Sequence, residues 1–123
     1  MAVCQKFKIE NEIIPRIASC FGGGIGGTGY VCGAVVGATM AIGVIKERDD
    51  TEESKKELTA VTREFISRFK NDMKNIDCRE LTGYDFTDDG VREKFMNSDI
   101  HQTVCFPAVN MAYKIVVDLL GKN

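Results

Sequence analysis

Apolar side chains recur at three- and four-residue steps over most of this chain. The clearest run is Leu58, Val61, Thr62, Phe65, Ile66, Phe69 and Met73. That spacing paints one face of a helix and predicts a long amphipathic helix ending near Lys74 or Asn75. A second helix is predicted from about Phe106 to Leu120. Val109, Ala112, Val116 and Leu119/Leu120 form its apolar face, Pro107 suits its first turn and Gly121 its end. Ile13, Ile14, Ile17, Ala18 and Phe21 give a third helical pattern between Ile9 and Phe21, with Pro15 tolerated if the helix begins near Glu10 or Asn11. Asp77 and Glu80 have the three-residue offset of a capping box, which makes Cys78 the first residue of a short helix closed by Gly83. Val91 to Met96 predicts another short helix, and Ile100 to Val104 is ambiguous. No two alternating runs are joined by a hairpin signal. The expectation is an all-α fold, one compact domain over residues 1–123 with about four to five helices.

One stretch interrupts this pattern. Phe21 to Gly43 reads FGGGIGGTGYVCGAVVGATMAIG, and eight of the twelve glycines lie between Gly22 and Gly37. Such density fits a backbone that turns tightly, visits positive φ or lets another segment approach closely. After it, Val31 to Ile45 is small and apolar, with Gly33, Gly37 and Ala41 on one face, so a buried small-residue helix with a filled groove is expected. Lys46 to Lys56 is a charged, solvated connector.

No charge appears from Ile17 to Ile45, which raises the question of a membrane span. The glycine run would leave irregular backbone in hydrocarbon, and the helical part falls short of the ~20 residues a span needs. No span is expected. Hydrophobic residues at 44% and charged residues at 28% exclude a disordered chain. A net charge of −2, with Lys and Arg scattered, gives no basis for nucleic-acid binding. The start, MAVCQKFKIENE, has no apolar signal run, which favours the cytoplasm.

In that reducing compartment five cysteines read as reactive, metal-bound or core thiols rather than structural bridges. Cys32, Cys78 and Cys105 each fall at or near a predicted helix N-terminus, where free N–H groups favour negative charge. A thiol so placed can drop from ~8.5 to roughly 3.5–7.5. Thiolates serve both redox exchange and soft-metal binding. The wide spacings match neither a C-x-x-C pair nor a zinc ribbon, so the chemistry requires convergence in space.

FGGGIGG, then CGAVVGA at Cys32, NIDCREL-TGYD at Cys78 and finally Cys105 resemble a redox-active family defined by a C-G-A-x-x-G motif and four cysteines (C_GCAxxG_C_C). The resemblance covers about Ile9 to Leu120. It implies a small helical protein with thiol or metal redox chemistry, its cysteines falling on Cys32, Cys78 and Cys105. The family's first cysteine belongs to a helix well before the glycine loop, and this chain is expected to start after that helix. Neither Cys4 nor Cys20 matches that position.

The leading expectation is therefore a thiol-based redox or electron-transfer protein, possible as a thiol-dependent oxidoreductase, with an unidentified redox partner. The runner-up is a soft-metal or iron–sulfur module held by Cys32, Cys78 and Cys105, with Cys20, Cys4 or a partner chain as fourth ligand. If the loop cradles a bound group, Gly22, Gly23, Gly24, Gly26 and Gly27 are the contacts. Gly22, Gly24 and Gly27 satisfy G-x-G-x-x-G, but no strand precedes them and no Walker lysine follows, so a nucleotide is the weaker reading. His101, the one histidine, is assigned to the surface, with a base role as the sharper alternative. Arg79 could favour a Cys78 thiolate, and Tyr84 and Asp85 form a turn or a hydrogen-bonding group beside it. A helical interaction protein is a further alternative, and the apolar N-terminal segment makes a homo-oligomer an option.

Overall fold

Glycine-poor stretches with helical periodicity fold as helices, and the glycine loop folds as a left-handed coil between them. The computed structural model describes residues 1–47 and 49–121; position 48 of the charged connector and the last two positions of the 1–123 domain lie outside them. Among the described residues seven α-helices run in order: α1 (Ala2–Lys6), α2 (Ile13–Ile17), α3 (Gly33–Lys46), α4 (Glu52–Met73), α5 (Cys78–Thr82), α6 (Val91–Met96) and α7 (Phe106–Leu120). A π-helical turn, His101–Cys105, leads directly into α7. No strand occurs among the described residues. The all-α expectation holds with more helices than the pattern predicted, because several elements are only five or six residues long.

The core lies where α7 packs on α3 and α4. Phe65 and Phe69 of α4, Ile42 and Val35 of α3 and Val116 of α7 are its most deeply buried side chains. The two phenylalanine rings, one helical turn apart, sit with centroids 6.0 Å apart. Burying such side chains contributes about 1.5–3 kcal/mol each. Thr51 caps α4 by accepting the Ser54 N–H at 3.1 Å, and Lys74 ends it in a left-handed conformation. Arg68 on α4 reaches Asp118 on α7 at 2.6 Å.

Three predictions shift. The Ile9–Phe21 pattern yields only α2, with Ile13 and Ile17 about half exposed at 52% and 51%; the Asn11 carboxamide accepts the Ile13 N–H at 3.0 Å and starts the helix late. The buried face of α7 is Ala108, Ala112, Ile115, Val116 and Leu120, and Val109 is exposed. The expected filled groove on α3 is filled only in part: a Cβ on Gly33 would stand 3.1 Å from the Phe21 carbonyl oxygen, Ala41 is buried, but Gly37 faces open space.

α3 has 14 residues, too few to cross a bilayer. The π turn and α7 together make a 20-residue helix of mean hydropathy 1.4, long and apolar enough to cross a membrane by length and composition. In this fold its apolar face packs on α3 and α4.

Candidate functional site

The backbone brings the first two thiols together. Val31 and Asp77 form an isolated antiparallel bridge. Across it the Cys32 N–H donates to the Ile76 carbonyl and the Cys78 N–H to the Tyr30 carbonyl, each at 2.7 Å. The start of α3 and the start of α5 are thereby clasped side by side.

The glycine loop is what allows the clasp. Gly23, Gly24, Ile25, Gly26 and Gly27 are five consecutive residues at positive φ, a conformation that costs a residue with a Cβ about 1–2 kcal/mol. Gly24 shows why glycine is required. Its absent Cβ would stand 2.6 Å from the Tyr30 carbonyl oxygen and 2.7 Å from the Cys78 Cβ. The Tyr30 N–H closes the coil on the Gly24 carbonyl at 3.0 Å, and the Thr28 hydroxyl donates to the same oxygen at 2.8 Å.

Cys105 arrives from the other side, at the join between the π turn and α7. It lies inside a continuous helix rather than at a helix start, because its backbone keeps helical dihedrals. A π turn is a one-residue widening that re-aims side chains, and here it precedes the third thiol. Cys32, Cys78 and Cys105 line one cavity of about 930 Å³, together with Gly22, Gly23, Gly24, Gly26 and Gly27. Cys32 is close enough to the other two for its charge to raise both their pKa values.

The expected low pKa is overturned at Cys78 and Cys105. Burial pushes Cys78 up from 9.0 to about 11, with repulsion from Cys32 and Cys105 adding to it and the Thr82 hydroxyl partly offsetting it. Burial and Cys32 likewise raise Cys105. The physical reason is visible at α5. Its first N–H groups, on Cys78 and Arg79, are spent on the Tyr30 and Gly29 carbonyls at 2.7 and 3.1 Å, so they do not solvate a thiolate. At Cys105 no helix begins. The Asp77 side chain makes no cap bond, so the predicted capping box is replaced by these loop carbonyls.

Other candidates are placed elsewhere. Cys20 is exposed and does not line the cavity, and Cys4 is on the buried face of α1, in the core. Arg79 points away from the Cys78 sulfur: it donates to the Thr28 carbonyl at 3.3 Å and pairs with Asp85 at 3.4 Å, tying the loop to α5. Asp85 forms a turn, accepting the Thr87 N–H at 3.0 Å, and hydrogen bonds from Thr87 hold its carboxyl below the usual range. His101 is half-buried, not a plain surface residue; it lines the cavity with its ring centroid 4.5 Å from that of Phe95. Phe86, Arg92, Phe95, Met96, Val104 and Val109 also line it. Apart from Val109, which periodicity had assigned to the packed face of α7, the pattern gave no sign of these as wall residues, since they come from short elements and a loop.

All five cysteines are free thiols. Among the described residues no group of three His, Cys, Asp or Glu converges closely enough to hold a metal ion. The cavity thiols therefore do not fit a metal or cluster in this arrangement, and neither Cys20 nor Cys4 lines the cavity.

Fold and site define a class: a small helical domain that gathers three separated thiols against a glycine coil. The family model described as "Putative redox-active protein (C_GCAxxG_C_C)" matches residues 1–119. The chain belongs to this redox-active family. No curated protein and no solved structure matches it.

Proposed function

We propose that the cavity is a dithiol/disulfide site in which Cys32 is the entry thiol and Cys105 its resolving partner. The observation that carries this reading is the shared cavity with Cys32 at its electrostatic centre, acting on both other sulfurs. Cys32 is half-buried and occupies the N-cap of α3, where no side chain takes up the free N–H groups. Cys105 is also half-buried, whereas Cys78 is 9% exposed and held protonated. The first link thus forms between Cys32 and Cys105, with Cys78 in reserve.

In the exchange, Cys32 loses its proton to solvent and its sulfur attacks a partner disulfide. One partner sulfur leaves as thiolate, and a mixed disulfide remains on Cys32. Cys105, deprotonated in turn, attacks the Cys32 sulfur and expels the second partner sulfur. The domain gives up two electrons and two protons, and the partner disulfide is reduced. Reversal reduces the domain. A reducing cytoplasm is the setting this chemistry calls for.

Equilibration in dithiol/disulfide buffers tests the reading. A two-electron transition, about 30 mV per tenfold change in ratio, is expected for the native chain and is lost in Cys32→Ser. A transition that survives in Cys32→Ser overturns the assignment.

A further inference from the structure

Beyond the thiols, the cavity wall has a chemistry of its own. Phe86 and Phe95 meet edge to face with centroids 4.9 Å apart, and His101 lies against Phe95. The cavity's volume of about 930 Å³ is that of a small-molecule site rather than a flat protein-docking face. No aspartate or glutamate among the described residues lines it, while Arg92 does. Arg92 is exposed, and its guanidinium makes no hydrogen bond or ion pair with any described residue. Asp88, Asp89 and Glu93 lie within four residues of Arg92 but outside the lining, so the guanidinium is the group on the wall itself that can pair with an anion.

We propose that the cavity takes a low-molecular-weight disulfide with a flat apolar body and a carboxylate, the body against the half-buried Phe86 and His101, which the buried Phe95 backs, and the carboxylate on Arg92. This rests on the thiol reading above and names its substrate class. Cys32 sulfur forms a bond to one ligand sulfur as the ligand S–S bond breaks, and the first half leaves as thiolate. Cys105 then displaces the second half from Cys32. The ligand gains the two electrons that the protein loses, and the two thiol protons pass to solvent.

The test compares the whole chain, reduced and carrying Cys20→Ser to silence the exposed thiol, against two aromatic disulfides in stopped flow. Dithiobis(nitrobenzoate) is anionic and dithiodipyridine is neutral. The readout is the ratio of their rates, referred to the same ratio for reduced glutathione, with the oxidised product mapped by mass spectrometry. The ratio is expected to exceed that of glutathione, to fall roughly tenfold in Arg92→Glu and to be kept in Arg92→Lys. A ratio equal to glutathione's and insensitive to Arg92→Glu, with Cys32 linked to Cys105 by both probes, overturns the substrate class and leaves the thiol reading standing. Failure of both probes to oxidise Cys32 overturns both.

Discussion

Gly24 and Cys78 touch so closely that no side chain fits between them: a Cβ on Gly24 would come to 2.7 Å from the Cys78 Cβ. The loop therefore supports the thiol helix directly. Through the Tyr30 carbonyl, the same contact supplies the acceptor that takes the Cys78 N–H.

Gly24→Ala is expected to destabilise the fold by roughly 3 kcal/mol or more, combining a positive φ with contacts to backbone that cannot move away. Gly22→Ala, where a Cβ meets nothing within 4 Å, is expected to stay within about 0.5 kcal/mol. Denaturant midpoints of the two variants check this. Equal effects would show that the loop is not built around the Cys78 contact.

Alkylation of Cys78 has a shifted pH profile. With its pKa pushed to about 11, only about one molecule in ten thousand carries the thiolate at pH 7. Its labelling rate is expected to keep climbing past pH 9, whereas a profile levelling off near 8.5 contradicts the burial argument. Thr82→Val removes the hydroxyl that eases ionisation, so the profile moves higher still.

Stability follows from the same shift. The folded-state pKa lies above the ordinary thiol value, so the contribution is fully present below pH 9 and is lost as pH rises towards 11. The loss is on the order of 2–3 kcal/mol. Subtracting the pH profile of Cys78→Ala from that of the native chain isolates it. A flat difference between pH 8 and pH 11 would be inconsistent with a protonated, buried sulfur.

Cys32→Ser removes a charge that acts on both remaining cavity thiols. The pKa values of Cys78 and Cys105 are expected to fall together, and their alkylation at fixed alkaline pH to speed up. Cys4, in the core, and the exposed Cys20 serve as internal references. A change confined to one of the two thiols would remove Cys32 from the centre of the site.

Long elements were legible in the sequence because periodicity over many residues is hard to mistake. α4 and α7 fall where Leu58–Met73 and Phe106–Leu120 place them. The motif that carries Cys32 and the order of the other two also pointed to Cys32, Cys78 and Cys105, which line one cavity. The ionisation of Cys78 and Cys105 was not legible. It depends on whether the N–H groups at α5 face a sulfur or a carbonyl, and only the Val31–Asp77 bridge decides that. The aromatic wall was equally hidden, since Phe86, Phe95 and His101 come from a loop, a six-residue helix and a π turn with no common period. α2 is short for a related reason: Asn11 fixes its start, and half-exposed isoleucines add little burial to extend it.

The most direct test is to oxidise the reduced chain with one equivalent of a disulfide, trap free thiols with an alkylating agent and map the products by mass spectrometry. The account predicts a monomer with an intramolecular Cys32–Cys105 link and Cys78 still alkylated only at high pH. Chains dimerised through the exposed Cys20, with Cys32 and Cys105 both free, would contradict it.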